Sequence, residues 1–135
     1  MKLKLLILIM ISAVAFSSCK KELVDTSMND FEDVNSNQTF EEIIASGVTL
    51  AFFHASWCHN CEEQRPAIEA ADADPQLDFV KFIEIEYEDN KEITQNNNVP
   101  GFPTQIIFKD GVEKERLTGK GHTVEQITTA LLKYE

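Results

Sequence analysis

Val48-Thr49-Leu50-Ala51-Phe52-Phe53-His54-Ala55-Ser56-Trp57-Cys58-His59-Asn60-Cys61 is the stretch on which the reading of this chain turns. Its first six residues are a near-continuous apolar run of strand length, the pattern of a strand buried on both faces. The cysteine pair follows almost at once and opens a helix through Glu62-Glu63-Gln64-Arg65-Pro66, which stops before Pro75. Pro66 costs that helix one backbone hydrogen bond and is expected to kink it. The placement gives the cysteines a chemistry. Thiol–disulfide exchange needs a thiolate, whereas a free cysteine holds most of its protons at neutral pH. A helix N-terminus offers unpaired N–H groups and the positive end of the helix dipole, and both stabilise the anion. Cys58 is expected as the exposed nucleophile. Cys61, nearly one turn on, can close a bridge or resolve a mixed disulfide.

Outward from this stretch, strands and helices alternate. Thr39 is expected to cap a short helix whose apolar face is Phe40, Ile43 and Ile44, stopping at Gly47. Phe79 to Tyr87 reads as a second strong strand, and Lys91 to Asn97 as a short helix. Thr104 to Lys109 and Val112 to Thr118 form a hairpin around Asp110-Gly111. Thr123 caps a last amphipathic helix with Val124, Ile127, Leu131 and Leu132 facing inward. The order α-β-α-β-α-β-β-α predicts an α/β fold, a mixed sheet of about four strands with helices on both faces.

The N-terminus carries an address. Lys2 and Lys4 precede an apolar run from Leu5 to Phe16, then Ser17, Ser18 and Cys19. This is the layout of a secretory signal, too short to span a bilayer comfortably. Ala15-Phe16-Ser17-Ser18-Cys19 resembles the lipobox of bacterial lipoproteins, which implies lipidation of Cys19 and residues 1–18 as signal peptide. Loss of those residues, which hold Lys2 and Lys4 and no carboxylate, would leave 117 residues and move the formal charge from −11 to −13. Such acidity argues against nucleic acid and polybasic membrane docking as partners. The membrane is instead expected to be reached through the lipid. Residues 19–38, polar and without apolar periodicity, are expected as a flexible tether to a domain at 39–135, with Phe31 and Val34 as the residues that could pack on the domain edge and soften that boundary. An exported chain sits where disulfides persist, so Cys58 and Cys61 remain as the one pair after Cys19 is used.

Phe53-His54-Ala55-Ser56-Trp57-Cys58-His59-Asn60-Cys61 with Pro66, then Val99-Pro100-Gly101-Phe102-Pro103-Thr104, Phe108-Lys109-Asp110-Gly111 and Gly119, resembles the thioredoxin family. The resemblance covers roughly Phe40 to the C-terminus. It implies a thioredoxin-like fold, protein-disulfide oxidoreductase activity and a redox dithiol in place of a separate cofactor. It places Pro103 at the family's cis-proline, with Phe102 and Trp57 lining a groove for an extended substrate backbone. The 45 positions from Cys58 to Pro103 leave no room for the helical domain that some periplasmic relatives insert. Implied partners are proteins bearing disulfides or thiols and a recycling redox partner. The expected setting is the bacterial cell envelope, periplasm-facing or at the surface, with the domain a monomer.

The chain also departs from the family. Phe52 stands where thioredoxins usually carry a buried aspartate that handles the second cysteine's proton. Glu84 is a positional substitute, although its expected state is an exposed carboxylate. His59 is either a redox-tuning residue or simply solvated: its imidazolium would favour the Cys58 thiolate, while Glu62 and Glu63 oppose it. Two other function classes remain open. Cys58 and Cys61 with His54, His59 or His122 could bind zinc or copper, although no second C-x-x-C exists. A redox-silent interaction module would need a structural disulfide, for which so small a loop offers little reason.

Overall fold

The computed structural model describes residues 32–34 and 36–135. The signal segment, Cys19, Phe31 and most of the expected tether lie outside these residues. Strands are β1 (Glu32–Asp33), β2 (Val48–His54), β3 (Val80–Glu86), β4 (Thr104–Lys109) and β5 (Val112–Thr118). Helices are α1 (Asn37–Ile44), α2 (His59–Asp72), α3 (Lys91–Asn96) and α4 (Val124–Leu132). A 3-10 turn at Pro75–Leu77 follows α2.

The sheet order is β1-β3-β2-β4-β5, with β1, β3 and β2 parallel and β4 and β5 antiparallel to their neighbours. Four full strands match the expected α/β sheet. The fifth, β1, comes from the segment expected as tether, and Val34 beside it is fully buried. The packed unit therefore reaches back to residue 32. Thr39 is not the cap of α1: Ser36 is, and its Oγ accepts from the Thr39 backbone N–H at 3.2 Å. An ST-type cap one turn earlier satisfies a donor that Thr39, already helical, cannot reach.

Strand alternation divides the core. Leu50 and Phe52 face Ile68, Ala71, Ile127 and Leu131 of α2 and α4, while Ala51, Phe53, Ile83 and Ile85 face Phe40, Ile44 and Ile93 of α1 and α3. Each fully buried side chain of this size contributes about 1.5–3 kcal/mol. In α4, Ala130 takes the inward place expected for Leu132, which is exposed. Positions 127, 130 and 131 follow the helical stripe, and 132 falls beyond it.

Two devices hold the site's scaffold. Asp110 (φ 50°) and Gly111 (φ 78°) make the hairpin turn, and its backbone docks on the end of α1 through Asp110 N–H to Gly47 O and Gly111 N–H to Ile44 O. Buried Gln64 of α2 grips His122 from both sides, donating to its carbonyl at 2.8 Å and accepting its N–H at 3.0 Å. Helix α2 runs on through Pro66.

Candidate active site

Cys58 is the N-cap of α2. Its N–H bonds Ala55 O, and its Sγ accepts the Cys61 backbone N–H at 3.2 Å. Capping normally falls to an oxygen; here sulfur fills that role, so a thiolate on Cys58 gains a charge-assisted hydrogen bond as well as the helix dipole. Cys58 and Cys61 form a disulfide with their Cα atoms 5.3 Å apart. The expectation of an exposed Cys58 needs qualifying: it is 7 % exposed and Cys61 3 %, so attack is confined to one narrow approach.

Trp57, next to Cys58 in the chain, meets the loop named from the sequence. The Phe102–Pro103 peptide is cis. Phe102 meets Trp57 edge-on at 6.0 Å and leans on Tyr87 at 5.3 Å. Trp57 itself is 68 % exposed, the most open large apolar side chain among the described residues. Pro103, Phe102, Thr104 and Gly119 line a hollow of about 200 Å³, closed on one side by Gly119 N–H to Pro103 O at 2.9 Å. Arg116 steadies the loop leading in, donating to Asn97 O and Asn98 O while pairing with Glu113. Tyr87 joins this contact from just beyond the end of β3. Its position at the end of a strand gave no sign that it would meet Phe102.

A second group lies behind the cysteines. A recess of about 290 Å³ is lined by His54, Cys58, Cys61, Glu62, Arg65 and Glu86, among others. Next to it the register sets Glu84 beside Phe52, and Glu84 pairs with two of the lining residues. Glu84 is not the exposed carboxylate expected: its Oε2 lies 2.7 Å from Arg65 Nη1 and 3.4 Å from His54 Nε2. Arg65 also covers the Phe52 ring at 5.3 Å, and that ring stacks on His54 at 5.3 Å. Phe52 thus supplies an apolar platform where the family's aspartate was expected, and the polar groups gather around its edge.

On the solvent side, His59 sits between Glu62 (3.4 Å) and Glu63 (3.1 Å). A hydrogen bond from Lys120 holds Glu63 below the usual glutamate range, aided by the charge of Lys120 and by His59. At the rim, partial burial and the neighbouring Glu88 and Asp89 push Glu86 up. Desolvation pushes Glu88 up as well, but hydrogen bonds from its own backbone N–H, Glu86, Ser56 N–H and the Trp57 indole outweigh it and leave it lowered. Among the described residues no group of three or more His, Cys, Asp or Glu is arranged to hold a metal ion. His122 is engaged elsewhere, by Gln64 and by Thr118 O.

A cysteine pair capping a helix beside a cis-proline loop, on a sheet of this order, defines a thiol–disulfide oxidoreductase. The thioredoxin family profile matches residues 32–133. The chain is 36 % identical over 86 residues to thioredoxin of Chlamydia trachomatis, covering 64 % of this chain and 82 % of that one. It is 30 % identical over 114 residues to mitochondrial thioredoxin-2 of Schizosaccharomyces pombe, covering 82 % and 83 %. In structure it resembles thioredoxin from Trypanosoma brucei brucei, with a TM-score of 0.71 at 24 % identity over 81 % of this chain and 94 % of that one. The chain belongs to the thioredoxin family. Its members act on protein disulfides through a redox-active dithiol, without a separate cofactor, and are recycled by a reductase partner.

Proposed function

We propose that this protein exchanges disulfides with proteins of the bacterial cell envelope, held at the membrane by a lipid on Cys19. Cys58 is the nucleophile, and Cys61 resolves the mixed disulfide. An extended polypeptide lies against Trp57, Phe102 and Pro103, so that its sulfur meets Cys58 along the narrow approach. The observation that carries this reading is Cys58 Sγ accepting the Cys61 N–H at the start of α2, with the adjacent Trp57 against Phe102 of the cis-proline loop. One copy suffices, because both sulfurs and the groove belong to one chain. The signal-bearing N-terminus supports the envelope setting, and the acidity of the chain argues against nucleic acid as a partner.

Redox titration of the purified protein, with alkylation and mass readout, tests the central part. Cys58 and Cys61 should interconvert as one two-electron couple, and the potential then sets the direction of electron flow. Thiols that stay free in oxidising buffer would overturn it. For the anchor, cells fed a labelled fatty acid should label the chain, and Cys19→Ala should lose both the label and the membrane fraction. Equal labelling of the two would remove the lipid from the proposal.

A further inference from the structure

When a mixed disulfide on Cys58 is resolved, Cys61 must first lose a proton. Cys61 is only 3 % exposed, so bulk water has little access, and a group lining its recess has to take that proton. The titratable groups there are His54 from β2, Glu62 and Arg65 from α2, and Glu86 from β3, with Glu84 paired to His54 and Arg65. Arg65 is a fixed cation and Glu62 stands largely in solvent, paired with His59. A thiol near 8.5 gives its proton to an imidazole near 6.5 across a gap of about two pH units; an ordinary carboxylate doubles that gap, and Glu86, though pushed up, is occupied by hydrogen bonds with Glu88 and Asp89.

We propose that His54 is the proton acceptor for Cys61, and that Glu84 and Arg65 are the positioning residues that hold its imidazole at the recess. The geometry supports each role. His54 is stacked on Phe52 and its side chain is only 12 % exposed, so the ring has one orientation to keep. Glu84 at 3.4 Å favours the imidazolium once formed. Arg65, 2.7 Å from the same Oε2, withdraws part of that charge and keeps the neutral ring accessible beforehand. The inference rests on exchange at Cys58 and Cys61. In the reductive direction Cys61 S–H transfers its proton to His54, and the sulfur's electron pair forms the bond to Cys58 Sγ. The bond from Cys58 to the substrate sulfur breaks, its pair leaves on that sulfur, and the proton passes there through imidazolium or water. The two cysteines lose two electrons, and the substrate disulfide gains them.

Stopped-flow mixing of the reduced full chain with 5,5′-dithiobis(2-nitrobenzoate) separates the two steps, since attack releases one coloured thiolate and resolution a second. In the wild type, the resolution rate should rise with pH through an imidazole-like inflection. His54→Gln should slow resolution about 10–100-fold at pH 7 and lose the inflection, with attack changed less than about twofold. Glu84→Gln should move the inflection to lower pH, because the imidazolium loses its carboxylate; this variant decides the matter if His54→Gln does not fold. An unaltered resolution profile in both variants, or attack and resolution falling together, would overturn the role of His54. If the wild type shows no attack at all, the exchange reading itself falls, and this inference with it.

Discussion

Two histidine clusters flank the redox pair, made of the same chemistry and set in different surroundings. On the outside, His59 stands with Glu62, Glu63 and Lys120, its side chain 78 % exposed. On the inside, His54 stands with Glu84 and Arg65 at 12 % exposure. In each, one carboxylate pairs with both an imidazole and a cation: Glu63 with His59 and Lys120, Glu84 with His54 and Arg65. Solvent screens the outer set, and its long side chains lose rotamer freedom to meet. The inner set works at lower dielectric on an aromatic floor, where the same charges act more strongly. Burial, more than residue type, decides which histidine can influence the sulfurs.

The largest expected effect removes the sulfur that both clusters flank. Cys61→Ser should abolish turnover and leave a stable mixed disulfide on Cys58, read by mass spectrometry; sustained turnover would make the position of either cluster irrelevant. Next, Arg65→Met should cost about 1–3 kcal/mol in urea unfolding, since it leaves Glu84 half-buried without its guanidinium. A double-mutant cycle should show a larger coupling between Arg65 and Glu84 than between Lys120 and Glu63. Equal coupling in the two pairs would break the comparison.

Acid and base should distinguish the sides through two glutamates with opposite slopes. Glu63 is lowered in the fold by Lys120, so its contribution to stability is present above 4.5 and is lost as pH falls through its folded value. Glu86 is raised by burial and by Glu88 and Asp89, so its contribution is present below 4.5 and is lost as pH rises through its folded value. Urea midpoints for Glu63→Gln and Glu86→Gln between about pH 3 and pH 7 should therefore diverge from wild type in opposite senses, with salt erasing the Glu63 difference first. Parallel curves would refute the assignment. The smallest effect is expected for His59→Ala, which should move the redox potential by no more than about 15 mV, because its own neighbours Glu62 and Glu63 already hold it in solvent. A larger shift would give the outer cluster a tuning role.

The sequence alone determined much of this molecule. The run at 48–53, the cysteine spacing, Asp110-Gly111 and Thr123 each specify local structure by period, helix-end chemistry or positive φ, and all four stand where expected. Cys58 and Cys61 were legible because their chemistry comes from neighbours in the chain, and Pro103 because its surrounding segment resembles the family's. Tertiary structure decided the rest. Ser36 displaced Thr39 as a cap, and β1 joined the sheet because an edge of β3 was free to receive residues whose own pattern is polar. Glu84, read as exposed from an alternating strand, became part of a charged triad only because register set it beside Phe52 and α2 laid Arg65 over both. Tyr87 reached Phe102 across a loop. Local pattern can state that a strand exists and which residues share its face. It cannot state what the next strand and the covering helix will place there, since those contacts depend on pairing between residues far apart in the chain.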